Sequence, residues 1–285
     1  MNAYLNANFN AGFGSSYDVL YRLYLTQEKL KKLGYVVKSY IDFGLNPYKM
    51  DNEDRTVFNK ILNLNLLDNL VLSTSGFNSE IGNFSERNSC KLVFNNANIF
   101  FVYVDKKVDG LFPFEDFVLW QSRDDLPKIS MLTNEVVLYA EEKLKRIPNN
   151  FYCIHYRPFE LHNQYEELNK NYQEIDLFIK NNSNKIIFIS TQFEVLKKLI
   201  REKKYPNVYV NDYEFPDDHG GVRGLGWDDE KLLGYLKETV FEMYALSKSE
   251  KILRISGWFS NFLFFSNTFN QTEISNKYRY FPPYS

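Results

Sequence analysis

Hydrophobic and polar positions along the first 45 residues predict a helix followed by a strand. The helix has apolar positions at a spacing close to 3.6 residues, with Gln27 as the exception: Val19, Leu20, Leu23, Tyr24, Leu30 and Leu33. Ser15 or Ser16 is the expected N-cap, and Gly34 is the expected residue beyond the helix end. Residues 35–42 form the predicted strand. A strand, a turn, a helix and a second strand are typical of a parallel sheet with right-handed crossovers.

The next hundred residues carry a weaker pattern. Residues 56–72 mix helical and strand-like periods, and residues 73–97 are rich in Ser, Asn and Gly, which predicts loops. A strand is predicted at 99–104 and a helix at 133–145. Pro148 and two asparagines then interrupt the chain, and we place a domain boundary there, between residues 149 and 150.

The second half repeats the α/β pattern. Strands are predicted at 151–155, 185–190, 208–210 and 251–255, and helices at 175–180, 191–203 and 228–246. The centre of the 185–190 segment is fully apolar, as expected for a strand that is covered on both faces. Residues 211–227 are glycine-rich and form a predicted long loop.

Composition and charge exclude several classes of protein. The net charge of the 285 residues is −2, and Lys and Arg are spread along the chain, so a nucleic acid is not expected as a partner. Cys90 and Cys153 are too far apart, with no CxxC, to suggest a disulfide framework or a zinc site. No apolar run is long enough for a secretion signal or a membrane span, so a cytoplasmic protein is expected.

Polar side chains follow three predicted strands of the second half. They are His155, Arg157 and Glu160 after the first strand, Ser190, Thr191 and Gln192 after the second, and Ser256, Gly257, Ser260 and Asn261 after the third. The carboxyl ends of parallel strands meet at one edge of a sheet, where ligands bind. Helix N-termini and an arginine fork favour anions, so this edge predicts a diphosphate site. The alternative is that these residues are ordinary helix caps and solvated charges.

The same residues resemble a known family. The run His-Tyr-Arg-Pro-Phe-Glu at 155–160 resembles the His-x-Arg-Arg-x-Asp motif of fucosyltransferase-type glycosyltransferases of the GT-B architecture, the α1,2/α1,6 and protein O-fucosyltransferase superfamily. Residues 186–192 are similar to that family's strand ending in Thr-Asp. Residues 236–262 are similar to its helix, strand and Ser-x-Phe loop, and residues 12–16 to its glycine-rich first turn.

The resemblance implies an α/β fold in which two Rossmann-type parallel-sheet domains face each other across a cleft. Residues 1–149 would form the acceptor-side domain and residues 150–285 the nucleotide-sugar domain, with a C-terminal tail that packs back on the first domain. The implied activity is transfer of a fucose-like sugar, from a GDP-sugar donor, to the hydroxyl of a glycan or another acceptor.

The resemblance also implies roles for individual residues. Arg157 would hold the β-phosphate and stabilise the leaving diphosphate, and Glu160 would be catalytic beside it. The donor would also be bound by residues at other strand ends and in the first turn: His155, Thr191, Ser260, Asn261, Gly12 and Gly14. The two glycines would allow close approach of the backbone to the donor.

This chain departs from the family pattern at three positions. Pro158 replaces the second arginine, Glu160 replaces Asp, and Gln192 replaces Asp, so the donor sugar and the base stay open. No Asp-x-Asp tripeptide is present, which favours a metal-independent mechanism with no cofactor. Asp18, Asp42 and His219 are candidates for the acceptor base besides Glu160.

Two other functions are compatible with the sequence. One is another nucleotide-dependent transferase or a phosphatase, although neither a Walker loop nor a complete GxGxxG turn is present. The other is a non-catalytic nucleotide- or glycan-binding α/β protein, in which Pro158 reflects loss of the arginine pair.

Overall fold

A computed structural model describes most of the chain: residues 1–8, 13–42, 57–73, 89–94, 98–104, 129–156, 164–215, 228–255 and 273–276. The chain packs as two compact units. The N-terminal unit comprises Met1–Thr133 and Arg223–Leu233, and the C-terminal unit comprises Asn134–Val222 and Gly234–Ser285. Among the described helices, none combines the length and apolarity needed to cross a membrane.

The N-terminal unit contains a mixed five-stranded sheet. Its elements in chain order are β1 (Asn2–Asn8), α1 (Phe13–Lys32), β2 (Val36–Asp42), α2 (Phe58–Ile61), a 3₁₀ turn (Leu64–Leu66), β3 (Val71–Ser73), β4 (Ser89–Phe94) and β5 (Asn98–Val104). The strand order is β3-β2-β1-β5-β4. Strands β1 to β3 are parallel, whereas β5 is antiparallel to β1 and β4. Only residues 95–97 join β4 to β5, which is too short for a parallel crossover.

Helix α1 ends as the sequence predicts but begins earlier. Gly34 has φ +85°, the Tyr35 N–H donates to Leu30 O and the Gly34 N–H donates to Lys31 O, so the helix ends in a Schellman motif. The helix starts at Phe13, which makes the prediction of Ser15 or Ser16 as the N-cap wrong. Both serines are helical residues, because the small-residue turn is shorter than its composition suggests.

The C-terminal unit contains a parallel five-stranded sheet. Its elements are α3 (Asn134–Leu144), β6 (Tyr152–Tyr156), α4 (Gln164–Asn181), β7 (Ile187–Ser190), α5 (Glu194–Lys203), β8 (Val208–Val210), α6 (Asp229–Lys248), β9 (Lys251–Ile255) and β10 (Glu273–Asn276). The strand order is β10-β9-β6-β7-β8, and every pairing is parallel. This is the order of a doubly wound dinucleotide-binding sheet.

Helices cover both faces of the C-terminal sheet. On one face, the apolar residues of β6, β7 and β9 pack against α4 and α5 in one buried cluster, which includes Ile154, Ile189 and Leu253. The intervening residues point to the other face, because side chains alternate along a strand. There Phe188 makes an edge-to-face contact with Phe241 of α6, at 5.6 Å between ring centroids. Cys153 is buried beside Ala245 of α6, as predicted for a small buried residue.

The structure confirms the α/β class and most predicted elements. The N-terminal sheet, however, is mixed rather than parallel, because β5 is antiparallel to both of its neighbours, and three further differences concern single elements. The 73–97 segment is not all loop, because β4 occupies Ser89–Phe94. Helix α3 lies in the C-terminal unit, where the Tyr244 hydroxyl donates to Glu141 at 2.8 Å, although it precedes the predicted boundary. Strand β10 was not predicted, and it pairs with β9. The placement of the rest of the C-terminal tail stays a prediction, since residues 277–285 lie outside the described part.

Candidate active site at the carboxyl edge of the C-terminal sheet

Three polar residues lie side by side at the carboxyl ends of the central strands. His155 of β6 is in register with Ser190 of β7 and with Arg254 of β9. All three are buried. Each alternates with residues of the apolar α4/α5 cluster, so all three belong to the face that α6 covers. The structure thus aligns the strand ends in the way the sequence predicts, over the residues it describes.

This group lies where the strand order of the sheet reverses. Strand β6 leads by way of α4 to β7 on one side, and β9 lies on its other side. In doubly wound sheets the crossover helices on the two sides of this point lie on opposite faces, which leaves a crevice at the carboxyl ends of the two strands. His155 and Arg254 are the penultimate residues of β6 and β9, close to these carboxyl ends.

Glu242 of α6 brings a carboxylate to the same edge. The Ser190 hydroxyl donates to Glu242 Oε2 at 2.9 Å, and the Asn211 amide donates to Glu242 Oε1 at 3.4 Å. Glu242 is buried, and this burial raises the pKa of its carboxyl to about 7, although Lys197, Ser190 and Asn211 act in the opposite direction. Near neutral pH this side chain can therefore exist in either protonation state, and so either accept or donate a hydrogen bond.

A second carboxylate extends this network to α3. Glu238, one turn before Glu242, accepts hydrogen bonds from the Asn211 amide at 3.0 Å, from Tyr139 and from Lys143. The Lys143 ammonium also donates to Asn211 Oδ1 at 3.3 Å. The Asn211 amide thus bridges the two carboxylates, and Lys143 compensates one of the buried charges. A buried carboxylate without such partners would be strongly destabilising.

Thr191 and Gln192 form the turn after β7 rather than a helix start. Helix α5 begins at Glu194 with Phe193 at its N-cap, so the predicted start at Thr191 is wrong. The Thr191 hydroxyl, which is buried, accepts a hydrogen bond from the Phe193 N–H at 3.2 Å. The Gln192 amide donates to the Tyr235 hydroxyl of α6 at 2.8 Å. Gln192, one of the departures from the family pattern, therefore ties the turn to α6.

The structure describes three of the predicted site residues. His155 lies opposite Ser190, which precedes Thr191 in the chain, so His155 and Thr191 belong to adjacent strand ends. Gly14 is the second residue of α1 in the N-terminal unit, in the turn whose N–H groups have no helical partners. Five others lie outside the described residues: Gly12, Arg157, Glu160, Ser260 and Asn261.

The candidate bases are only partly described. Asp18 lies in α1 and Asp42 at the end of β2, and His219 lies outside the described residues. All three residues stay candidates for the acceptor base.

Sequence reasoning missed Arg254 and Glu242. Arg254 interrupts the apolar strand Lys-Ile-Leu-Arg-Ile, and a cation inside a strand covered on both faces is a usable signal. Glu238 and Glu242 are four residues apart on a helix that is otherwise mostly apolar, and both are buried. Single-sequence periodicity does not separate such a pair from a solvated face, since i and i+4 carboxylates are common on exposed helices.

The arrangement combines an imidazole, a guanidinium, a hydroxyl and a carboxyl group of raised pKa at one sheet edge. Such a set can bind a ligand that carries both hydrogen-bonding groups and negative charge. Among the described residues, no three His, Cys, Asp or Glu side chains are grouped to hold a metal ion.

Comparisons with known proteins identify the fold. No protein-family model matches the chain, and no curated protein matches it. The fucosyltransferase NodZ from Bradyrhizobium is similar in structure, with a TM-score of 0.52 and 13% identity over 93% of this chain and 92% of that chain. NodZ α-1,6-fucosyltransferase soaked with GDP-fucose has a TM-score of 0.50 and 12% identity over 94% and 93% of the two chains. A third structure, NodZ co-crystallised with GDP, has a TM-score of 0.50 and 11% identity over 93% and 92%. The chain thus shares the GT-B-like α/β fold of NodZ.

Proposed function

We propose that the chain is a fucosyltransferase-like glycosyltransferase that moves a sugar from a GDP-sugar donor to the hydroxyl of an acceptor. The fold likeness to NodZ covers nearly the whole of both chains. Two of the similar structures were prepared with GDP or GDP-fucose, which supports a GDP-sugar as the donor class. The sequence motif that ends in Arg157 and Glu160 supports the same class independently of the fold.

One observation carries the proposal: the in-register group His155, Ser190 and Arg254 at the reversal point of a parallel sheet. That point is where doubly wound sheets bind nucleotides. The group is buried and polar, and it combines a hydroxyl with an imidazole and a guanidinium at a single sheet edge. In the proposed function it forms the nucleotide end of the donor site.

The diphosphate end of the donor site is assigned to the loops that follow these strands. We propose that Arg157 pairs with the diphosphate and stabilises the charge that develops as the sugar leaves, with Ser260 and Asn261 as further phosphate ligands. Glu160 acts at the same edge, and Gly12 and Gly14 allow the first turn to approach the donor. Protein cations and dipoles supply the charge stabilisation, so the proposed mechanism needs no metal.

Calorimetric titration tests the donor class directly. We expect GDP and GDP-fucose to bind with similar affinity and UDP to bind more weakly by at least tenfold. The protein must be shown to be folded by circular dichroism in the same buffer. A folded protein that binds no GDP would contradict the proposed function.

Pro158 favours a second candidate, a nucleotide- or glycan-binding protein without turnover, because this residue removes one of two expected positive charges. Release of GDP from GDP-fucose in the presence of acceptor glycans separates the two candidates. A transferase releases GDP only when an acceptor is added, whereas a binding protein releases none above the buffer rate.

A further inference from the structure

A pocket in the N-terminal unit is not used by the proposed donor site. It has a volume of about 440 Å³, within the range of about 300–1,000 Å³ that is usual for small-molecule sites. Its wall comes from α2, the 3₁₀ turn and β3, with Thr133 on one side. We call it the Asn–Leu pocket, because three asparagines (Asn59, Asn63 and Asn65) and several leucines, including Leu70 and Leu72, line it.

The polar atoms of the pocket are available to a ligand. Asn63 is the N-cap residue of the 3₁₀ turn, yet its side chain makes no capping hydrogen bond. Within the described part of the chain, no hydrogen bond uses the side-chain amide of Asn59, Asn63 or Asn65. Each carboxamide offers two N–H donors and an oxygen acceptor. The pocket therefore presents three donor–acceptor groups beside an apolar wall.

The frame of the pocket is held by hydrogen bonds to other elements. The Asn63 N–H donates to Met131 O and the Thr133 N–H donates to Ile61 O, both at 2.8 Å, on either side of an antiparallel bridge between Leu62 and Leu132. Such bonds fix the lining in one conformation before a ligand arrives, which lowers the entropic cost of binding.

Gln27 of α1 fixes the backbone that follows the 3₁₀ turn. Its amide group donates to Leu66 O at 3.1 Å and its oxygen accepts from the Asp68 N–H at 2.7 Å. Gln27 is buried on α1, although it is polar. Its function in the fold is therefore to bind the backbone of the segment that carries the pocket.

The lining selects a neutral ligand rich in hydroxyl groups. Among the described residues that line the pocket, none is charged. A phosphate or carboxylate ligand would lose its hydration without gaining a cation, which is unfavourable. A sugar presents paired hydroxyls that match carboxamides, together with C–H faces that pack against leucines. We propose that the Asn–Leu pocket binds a neutral oligosaccharide, independently of the proposed donor site.

Saturation-transfer NMR with maltotriose, cellotriose and the trimer of N-acetylglucosamine tests the proposal without a donor. We expect at least one of these trisaccharides to bind. The double variant Asn63→Ala/Asn65→Ala should weaken that binding at least tenfold, whereas Asn184→Ala, an exposed asparagine in the C-terminal unit, should leave it unchanged. A second variant, Leu70→Lys, places a charge in the pocket and should weaken binding as well.

The outcomes separate this inference from the proposed function. Absence of binding by all three trisaccharides, or binding that neither pocket variant changes, would overturn the inference even if GDP binds normally. Conversely, trisaccharide binding that depends on the pocket, in a protein that binds no GDP, would support the pocket and contradict the glycosyltransferase. Equal melting temperatures of the variants and the parent chain check that each variant is folded.

Discussion

The two sheets share a strand–helix pattern but differ where their strand order reverses. In the C-terminal sheet, β6 has a parallel partner on each side, so three carboxyl ends meet at one edge. In the N-terminal sheet, β1 has a parallel partner in β2 and an antiparallel partner in β5, so β5 presents its amino end at that edge. The C-terminal sheet therefore builds a crevice between two strand ends, whereas the described part of the N-terminal sheet does not.

The two units also differ in where their polar side chains lie. The carboxyl edge of the C-terminal sheet has His155, Ser190 and Arg254 buried together, with Glu242 bonded to Ser190. In the N-terminal unit, three asparagines instead line the pocket around the 3₁₀ turn. The proposed nucleotide site and the proposed site for a neutral ligand therefore belong to different units.

The largest effect on sugar transfer is expected when the positive charge that follows β6 is removed. Arg157→Ala should lower kcat/KM for sugar transfer from GDP-fucose by about 100-fold or more, because a preorganised cation no longer stabilises the leaving diphosphate. Steady-state kinetics measures this loss. Arg201→Ala, an exposed arginine in the last turn of α5, is the matched control and should stay within about twofold of the parent. Equal losses in the two variants would contradict the assignment.

Titration of Glu242 should make the C-terminal unit sensitive to pH. Its native pKa of about 7 lies above the ordinary value of 4.5, so between these values the folded state binds a proton that the unfolded state has lost. Stability should therefore fall as pH rises from about 4.5 to 7, by up to about 3 kcal/mol. Glu242→Gln should flatten this dependence, as measured by urea unfolding at several pH values.

The control for this titration is Glu250→Gln, which changes an exposed carboxylate paired with Lys185. The groups that face Glu242 are Ser190, Asn211, Lys197 and Glu238, and none of them is altered in either variant. An unchanged pH profile in Glu242→Gln would show that this carboxyl does not titrate in the range.

Removal of the Ser190 hydroxyl should have a smaller effect. Ser190→Ala leaves buried Glu242 with one hydrogen-bond donor fewer, so unfolding free energy should fall by about 1–2 kcal/mol. GDP affinity should fall with it, because the serine lies at the proposed nucleotide edge. Ser183→Ala, at an exposed position between α4 and β7, should change neither quantity. Loss of stability without loss of GDP affinity would restrict Ser190 to a structural role.

The smallest effect is expected in the N-terminal unit. Gly34→Ala places a Cβ at φ +85°, which should cost about 1 kcal/mol of stability without a change in GDP affinity. Thermal unfolding and GDP titration measure the two quantities. Lys204, at φ 51°, ends α5 in a similar conformation, and Lys204→Gly should raise stability slightly. A drop in GDP affinity for Gly34→Ala would show that the C-terminal end of α1 is coupled to the donor site.

Much of the fold could be predicted because strands covered on both faces have distinct sequences. The apolar centre of residues 185–190 predicted β7, and the break at Pro148 predicted that a new strand, β6, begins after it. Strand β4 was missed because residues 73–97 are rich in Ser, Asn and Gly, which favour loops. The antiparallel pairing of β4 with β5 was therefore not predicted either. The N-cap at Ser15 or Ser16 failed because small residues favour both turns and helix starts.

The candidate site was predicted only where it follows strand ends. His155 lies at the end of a recognisable strand and Thr191 directly after another, so the sequence alone predicted their positions at the sheet edge. Glu242 and Asn211 come from a helix and a loop that are distant in the chain, and only the fold brings them to Ser190. The contact of Gln27 with the segment at 66–68 was likewise unpredictable, because 39 residues separate Gln27 from Leu66.

The central claim is that the C-terminal sheet edge binds a nucleoside diphosphate. Amide chemical shifts measured during a GDP titration test it most directly. The account predicts the largest changes at His155, Ser190, Thr191 and Arg254, with little change at the strands β4 and β5 of the N-terminal sheet. Changes confined to the N-terminal unit, or no changes at millimolar GDP, would contradict it.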